Sequence, residues 1–233
     1  MVTWNLFHGR ASPPSPRRSL LPEFVETLDS LDWDLALLQE APPRWRDRLA
    51  HDLRAQSAIA LTSRNFGGPI RSWIADRWPN AIKSNEGGSN QLLVREPWRI
   101  EDVREHTAAR RPERRRMLWA RLEGPWPLAV ANLHGSVDSV RGASEQVLEA
   151  ARVAVEWAGP CPLLFGGDLN LRPSRQPEVF AQLERRFSLA PPTDGDAIDH
   201  LLMRGLDVVQ PPRRGPEVPL SDHAYVTAVA GMK

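Results

Sequence analysis

Cysteine is nearly missing from this chain: Cys161 is the sole one in 233 residues. An intrachain disulfide is therefore excluded, and a reducing cytoplasm is the expected setting. No run approaches the roughly 18 apolar residues of a membrane span. The opening Met1-Val2-Thr3-Trp4-Asn5-Leu6-Phe7-His8 has no charged region followed by a long apolar core, so it does not read as a secretory signal. An excess of either charge is missing too, since 30 Lys+Arg against 29 Asp+Glu leave a net +1. That excludes a global field for nucleic acid but not a local basic patch. The basic residues are almost all arginine and accompany 22 prolines, a pattern we attribute to GC-rich coding. Several catalytic signatures are absent: HExxH, CxxC, a Gly-x-Ser-x-Gly elbow, a Walker loop and GxGxxG.

What is present is ordinary for a globular protein, with 41% apolar and 25% charged residues. The length fits one large domain over residues 1–233, and no internal repeat or linker interrupts it. Strand-like and helix-like segments interleave, which predicts an α+β domain with mixed sheets. Val2–Leu6 alternates apolar and polar residues and reads as a half-buried strand. Ser19 is expected to cap a helix running to Leu31. Leu35–Glu40 is a buried strand, Pro42–Ala55 an arginine-bearing helix, and Ile70–Trp78 a short helix or irregular. Strands are expected at Ser57–Thr62, Gln91–Val94 and, weakly, Arg99–His106. Met117–Leu122 and Leu128–His134 form a hairpin. Ser139–Trp157 is an amphipathic helix, and Gln176–Phe187 is another. Ala197–Met203 is a strand, Pro211–Pro219 a loop, and Ala224–Ala230 the last strand.

The centre of the pattern is Cys161-Pro162-Leu163-Leu164-Phe165-Gly166-Gly167-Asp168-Leu169-Asn170. An apolar run of buried-strand type ends in Asp168 and Asn170, which an extended backbone would present on one face. Other apolar strands end the same way, in Asn5, Glu40, His134 and Ser221-Asp222-His223, with Asp199 inside a sixth. Each has a plain alternative: Asn5 as a turn cap, Glu40 as a surface or helix-capping acid. A carboxylate ending a buried strand nevertheless costs several kcal/mol unless paired or metal-bound. Together these groups are oxygen-rich, which suits Mg²⁺ or Mn²⁺ better than zinc.

Thr3-Trp4-Asn5, Leu38-Gln39-Glu40, Asn132-Leu133-His134, Gly167-Asp168-Leu169-Asn170, Ile198-Asp199-His200 and Ser221-Asp222-His223, in that order, resemble the motifs of the endonuclease/exonuclease/phosphatase superfamily. The resemblance implies a deoxyribonuclease-I-like, four-layer α/β/β/α sandwich with two packed mixed sheets. It also implies metal-dependent hydrolysis of phosphoric esters. Carried over, Glu40 is the main metal ligand, with Asn5 close by and Asp222 contributing. Asp168 and Asn170 position or deprotonate the attacking water. His223 contacts the scissile phosphate, Asp199 orients its ring, and His134 is the second histidine on the phosphate. Arg115 or Arg116 takes the place of an arginine that several members point at phosphate. Two departures are visible: Gly135 follows His134, which would widen the site or free its loop, and His134 stands where members specialised for abasic DNA have tyrosine.

The leading expectation is a nuclease on DNA or RNA, supported by six arginines in Arg104–Arg116 and by Trp45, Trp73 and Trp78 read as exposed. The alternative is a phosphatase or phosphodiesterase on a small ester such as an inositol phosphate or lipid headgroup. A non-catalytic binding module is a third possibility. No protein partner is implied, and a monomer is expected.

Overall fold

The computed structural model describes residues 1–12, 18–62, 88–110 and 113–232. The expected short helix at Ile70–Trp78, with Trp73 and Trp78, lies outside the described residues. Two sheets stack face to face. The first contains β1 (Val2–Asn5), β2 (Leu35–Ala41), β3 (Gln56–Leu61) and β4 (Ser89–Val94), with β10 (Leu206–Arg214) and β11 (Val226–Met232), in the order β10-β11-β1-β2-β4-β3. The second is β5 (Arg99–Ala109), β6 (Arg115–Glu123), β7 (Leu128–Asn132), β8 (Leu163–Asp168) and β9 (Asp199–Arg204), in chain order. β1 with β2 and β7 with β8 are parallel, and the other pairs are antiparallel. Helices α1 (Leu21–Asp29) and α2 (Arg46–Asp52) pack on the outside of the first sheet. Helices α3 (Val140–Ala158) and α4 (Pro177–Phe187) pack on the outside of the second. The result is the four-layer mixed-sheet sandwich.

Strand alternation assigns the layers. Val2 and Trp4 of β1 face α1 and α2 with Phe24, Leu28 and Leu49. Leu35 and Leu37 of β2 face inward, meeting Leu118, Val130, Leu164 and Leu201 of the second sheet. Phe165 and Leu202 face outward, against Val147, Ala151 and Leu183 of α3 and α4. Each of these buried aliphatic or aromatic side chains contributes roughly 1.5–3 kcal/mol relative to exposure. Towards one end the inward rows change character. Leu37 is followed by Gln39, Val130 by Asn132, and Leu164 by Gly166 and Asp168, all buried. Gln39 Nε2 donates across the sheets to Asn132 Oδ1 at 2.7 Å and to Thr3 Oγ1 at 3.0 Å. Asn132 Nδ2 donates to the Leu38 and Gln91 carbonyls at 3.0 and 2.9 Å. This satisfied polar seam floors the candidate site.

Several local expectations change. Pro211 and Pro212 lie inside strand β10, not in a loop. β10 is an edge strand with two register shifts against β11, where missing N–H donors are tolerated. The weak strand at Arg99 is the longest of the described strands, at 11 residues. α1 begins at Leu21 without a side-chain cap, and the Ser19 hydroxyl only accepts from Leu21 N at 3.4 Å. Ser139 does cap α3, accepting from Gly142 N at 3.0 Å.

Candidate active site

The site gathers at the polar end of the inter-sheet space. Asp168 ends β8 and is paired in register with Asp199 at the start of β9. Asn5 ends β1 and donates from Nδ2 to Asp168 Oδ2 at 3.0 Å, while its Oδ1 accepts from Phe7 N at 2.9 Å. Asn170 does not continue the strand, so the extended-segment argument for the Asp168/Asn170 pair fails. Its φ is 54°, its backbone N donates to Asp168 Oδ1 at 3.1 Å, and its side chain donates to the Gly135 carbonyl at 3.1 Å. A turn, not strand alternation, brings the two together. Gly135 does not open the site: a Cβ there would fall 2.6 Å from the Leu169 carbonyl oxygen, so the residue serves close packing.

His223 Nδ1 meets Asp199 Oδ2 at 2.8 Å, and its Nε2 lies 3.8 Å from Asp168 Oδ2 and 3.9 Å from Asp222 Oδ1. Its backbone is fixed by Trp4 Nε1 donating to its carbonyl and by Ser221 Oγ accepting from its N–H. Burial opposes the charge of this imidazole. The Asp199 hydrogen bond and charge, with Asp168 and Asp222, outweigh burial and push its pKa up to about 10. Asp168 is raised to about 7, by burial first and then by the Asp199 charge, against His223 and Asn5. The second Asp199 oxygen, Oδ1, is buried without a hydrogen-bond partner among the described residues.

His134 is buried, with Nδ1 2.9 Å from Arg115 Nη1. Arginine only donates, so Nδ1 accepts and the ring proton is on Nε2. Burial, then the Arg115 charge, hold this imidazole neutral, well below the ordinary histidine range. Its Nε2 lies 3.5 Å from Asp168 Oδ2 and 3.9 Å from Glu40 Oε1. Arg115 is thus directed at His134 and, through Nη2, at Glu113 at 3.0 Å. Arg116 is not brought into the cluster; its Nη1 pairs with Glu105. Asp222 is half-exposed at the rim.

Glu40 stands on a bulge of β2, where the register against β4 shifts, with φ 48°. Burial raises its pKa, partly countered by Arg115 and His223. No lysine or arginine pairs with it among the described residues. Its close neighbour is His8, whose Nε2 is 3.1 Å from Glu40 Oε2. Sequence reasoning missed His8; the signal available was an imidazole three residues past Asn5, just before the turn glycine Gly9. A half-buried carboxylate without a lysine or arginine partner suits a divalent cation. Asp168, Asp199 and His223 also offer donor atoms within 4.8 Å of one another. A protonated imidazole has no free lone pair, so that trio is less suited to a cation than the Glu40 side.

Beside His223 opens a cleft of about 600 Å³, lined by Asp196, Asp199, Arg214, Glu217 and Asp222 among others. Arg214 is already paired with Asp194 at 2.8 Å. Trp45 is buried against Phe24, so it is not the exposed stacking platform that was expected. Arg104 likewise pairs with Asp102, away from the cluster. Among the described residues no helix is long and apolar enough to cross a membrane.

Comparisons with known proteins agree with this architecture. No curated protein sequence matches the chain. Among solved structures, an endonuclease/exonuclease/phosphatase from Bacteroides vulgatus superposes with TM-score 0.69 at 17% identity, covering 100% of this chain and 98% of that one. A mannosyl-6-phosphatase from Bacteroides thetaiotaomicron gives TM-score 0.66 at 12% identity, covering 99% of both chains. The human Nocturnin catalytic domain with bound sulfate gives 0.66 at 15% identity, covering 98% of this chain and 93% of that one. At such identities the likeness shows the fold alone. The model of the Endonuclease/Exonuclease/phosphatase family matches residues 2–223, nearly the whole length, and on that match the chain belongs to this family.

Proposed function

We propose that this chain hydrolyses phosphate esters with a divalent cation, Mg²⁺ or Mn²⁺, bound at Glu40. The observation that carries the reading is the division of labour around Asp168. On one side is a half-buried carboxylate, Glu40, whose close neighbours are the imidazoles of His8 and His134 and which has no lysine or arginine partner among the described residues. On the other is His223, charged by its 2.8 Å contact with Asp199. When bound, the cation would act as a Lewis acid towards a phosphoryl oxygen. Glu40 would hold it, with Asn5 close by and Asp222 at the rim. His223 and the Nε2–H of His134 supply hydrogen-bond donors for charge growing on the phosphoryl group. Asp168, with a pKa near neutrality, is placed to accept a proton from the attacking water. Asn5 and the Asn170 amide hold its two oxygens in place. Asp199 keeps His223 oriented and protonated.

For the substrate, we infer a compact phosphate ester. The cleft beside His223 presents three carboxylates, Asp196, Glu217 and Asp222, against Arg172 and an Arg214 that is neutralised by Asp194. A polyanionic strand crossing it would meet carboxylates. The nuclease reading keeps one support: the charges of Arg10 and Arg115 act on the Glu40 flank. An activity screen with Mg²⁺ or Mn²⁺ decides, across single- and double-stranded DNA, RNA, bis-p-nitrophenyl phosphate, sugar phosphates and inositol phosphates. Turnover of small esters, abolished in Glu40→Ala, is the expected result. Turnover confined to nucleic acid would transfer the reading to a nuclease, and unchanged turnover in Glu40→Ala would remove the metal site.

A further inference from the structure

We propose, resting on the reading of the chain as a hydrolase of compact phosphate esters, that Arg172 sets its specificity by binding a second oxyanion on the substrate, a carboxylate or a further phosphate. The residue lies two positions beyond Asn170 and lines the cleft beside His223. It is half-buried, and its backbone is held on both sides. Its N–H donates to Gln176 Oε1 at 2.8 Å, and its carbonyl accepts from the Arg175 and Gln176 N–H groups at 3.0 and 2.8 Å. The preceding Leu171 is fully buried, and its carbonyl meets His200 Nε2 at 3.0 Å. The guanidinium therefore extends from a fixed point on the cleft wall.

The pairing of charges around the cleft leaves this one cation over. Arg214 Nε is engaged by Asp194 Oδ2 at 2.8 Å, and His223 Nδ1 by Asp199 Oδ2 at 2.8 Å. Asp196 shares the cleft, yet its Oδ1 accepts from Ser174 Oγ at 2.9 Å. The Arg172 guanidinium has neither an ion pair nor a hydrogen bond among the described residues. Its N–H donors form a planar fork that matches a carboxylate or a phosphate, and none of them is occupied.

The neighbouring acids limit what the second group can be. With the scissile phosphate against His223, one further oxyanion can lie on Arg172. A third would meet Asp196, Glu217 and Asp222. The cleft thus selects for one extra anion and against a chain of them, and its volume of about 600 Å³ admits a small sugar or polyol between the two. Arg172 makes no bond to Glu40, His134, Asp168 or His223, so it stands outside the reacting group. Its grip on the substrate is the same before and during the chemical step, and it acts on KM more than on kcat.

Initial rates of the full chain with Mg²⁺ or Mn²⁺ test this on matched esters that differ by one anionic group. Glycerol phosphate against phosphoglycerate adds a carboxylate, and fructose monophosphate against fructose bisphosphate adds a phosphate, each in its positional isomers. In at least one pair the doubly anionic ester should have a kcat/KM higher by at least about tenfold, as charge-assisted hydrogen bonds supply. Arg172→Met should abolish that preference through a higher KM rather than a lower kcat, and Arg172→Lys should restore part of it, since it keeps the charge without the fork. The wild-type comparison needs no variant to fold: turnover of the esters without preference in any pair overturns the role of Arg172 and leaves the phosphoesterase reading standing. A preference that survives in Arg172→Met overturns it as well. Turnover of no phosphate ester, or of nucleic acid alone, overturns the compact-ester reading and this proposal with it.

Discussion

His223 owes its charge to three carboxylates, Asp199 above all, and that dependence is measurable. Its folded-state pKa, about 10, is raised above the ordinary 6.5. The stabilisation it brings to the metal-free protein is therefore complete below about pH 6.5 and is lost as pH rises towards about 10. Asp199→Asn should move the His223 titration, followed by imidazole ¹⁵N NMR, to lower pH and flatten the fall in melting temperature over that window. An unmoved titration would show that Asp199 does not set the charge. Asp168→Asn should lower kcat by about 100-fold or more, as loss of a proton acceptor does; a few-fold loss would remove that role. Glu40 and Asp168 stood out in the sequence because acids at apolar strand ends are expensive to bury without a purpose, whereas Asp199, read inside a strand, stood out through the family resemblance. His8 was not legible, because one imidazole in a turn has no periodicity to mark it. Arg115 or Arg116 was read as aimed at phosphate, yet which of the two meets His134 is decided by a strand pairing that no single segment reveals. Trp45 misled for a related reason: its helix reads as arginine-rich and solvated, while its own ring packs into the α1 side of the core.

At the scale of elements, β8 is a tight joint. Gly167 has φ 119°, and a Cβ built there would stand 2.1 Å from the Leu133 carbonyl oxygen and 2.9 Å from Asn132 Oδ1. Gly167→Ala should cost more than about 1 kcal/mol in urea unfolding, since both backbone conformation and space oppose it. A neutral result would mean that β7 and β8 can separate freely. The buried strands β2, β7 and β8 were visible as apolar runs, and α3 as an amphipathic stripe with its serine cap. β10 was hidden by its own prolines: composition argues for a loop, and only an edge position makes the strand affordable. The start of α1 was displaced because Pro22 in its first turn, not Ser19, sets the entry.

Across the whole molecule, the two sheets share one core and one site. Leu164 is fully buried between them, so Leu164→Ala should destabilise by about 2–5 kcal/mol in denaturant titration. A cost under 1 kcal/mol would mean that the sheets re-pack around the gap. The sandwich was implied by the ordered motifs spread from Thr3 to His223, whereas the shape of the cleft beside His223 was not, because it depends on the meeting of β9 with the segment before β11. The seam of Gln39, Asn132 and Thr3 carries a consequence for how the sheets can err. Each carboxamide has one donating end and one accepting end, so the joint behaves as a key rather than as grease. A slip of one residue, about 3.3 Å, would leave donors without acceptors, at about 1–3 kcal/mol for each buried group. Apolar layers alone would tolerate several neighbouring alignments. With the key in place a single alignment stands clear of its competitors, and Glu40 on one sheet is indexed to Asp168 on the other by the same two amides.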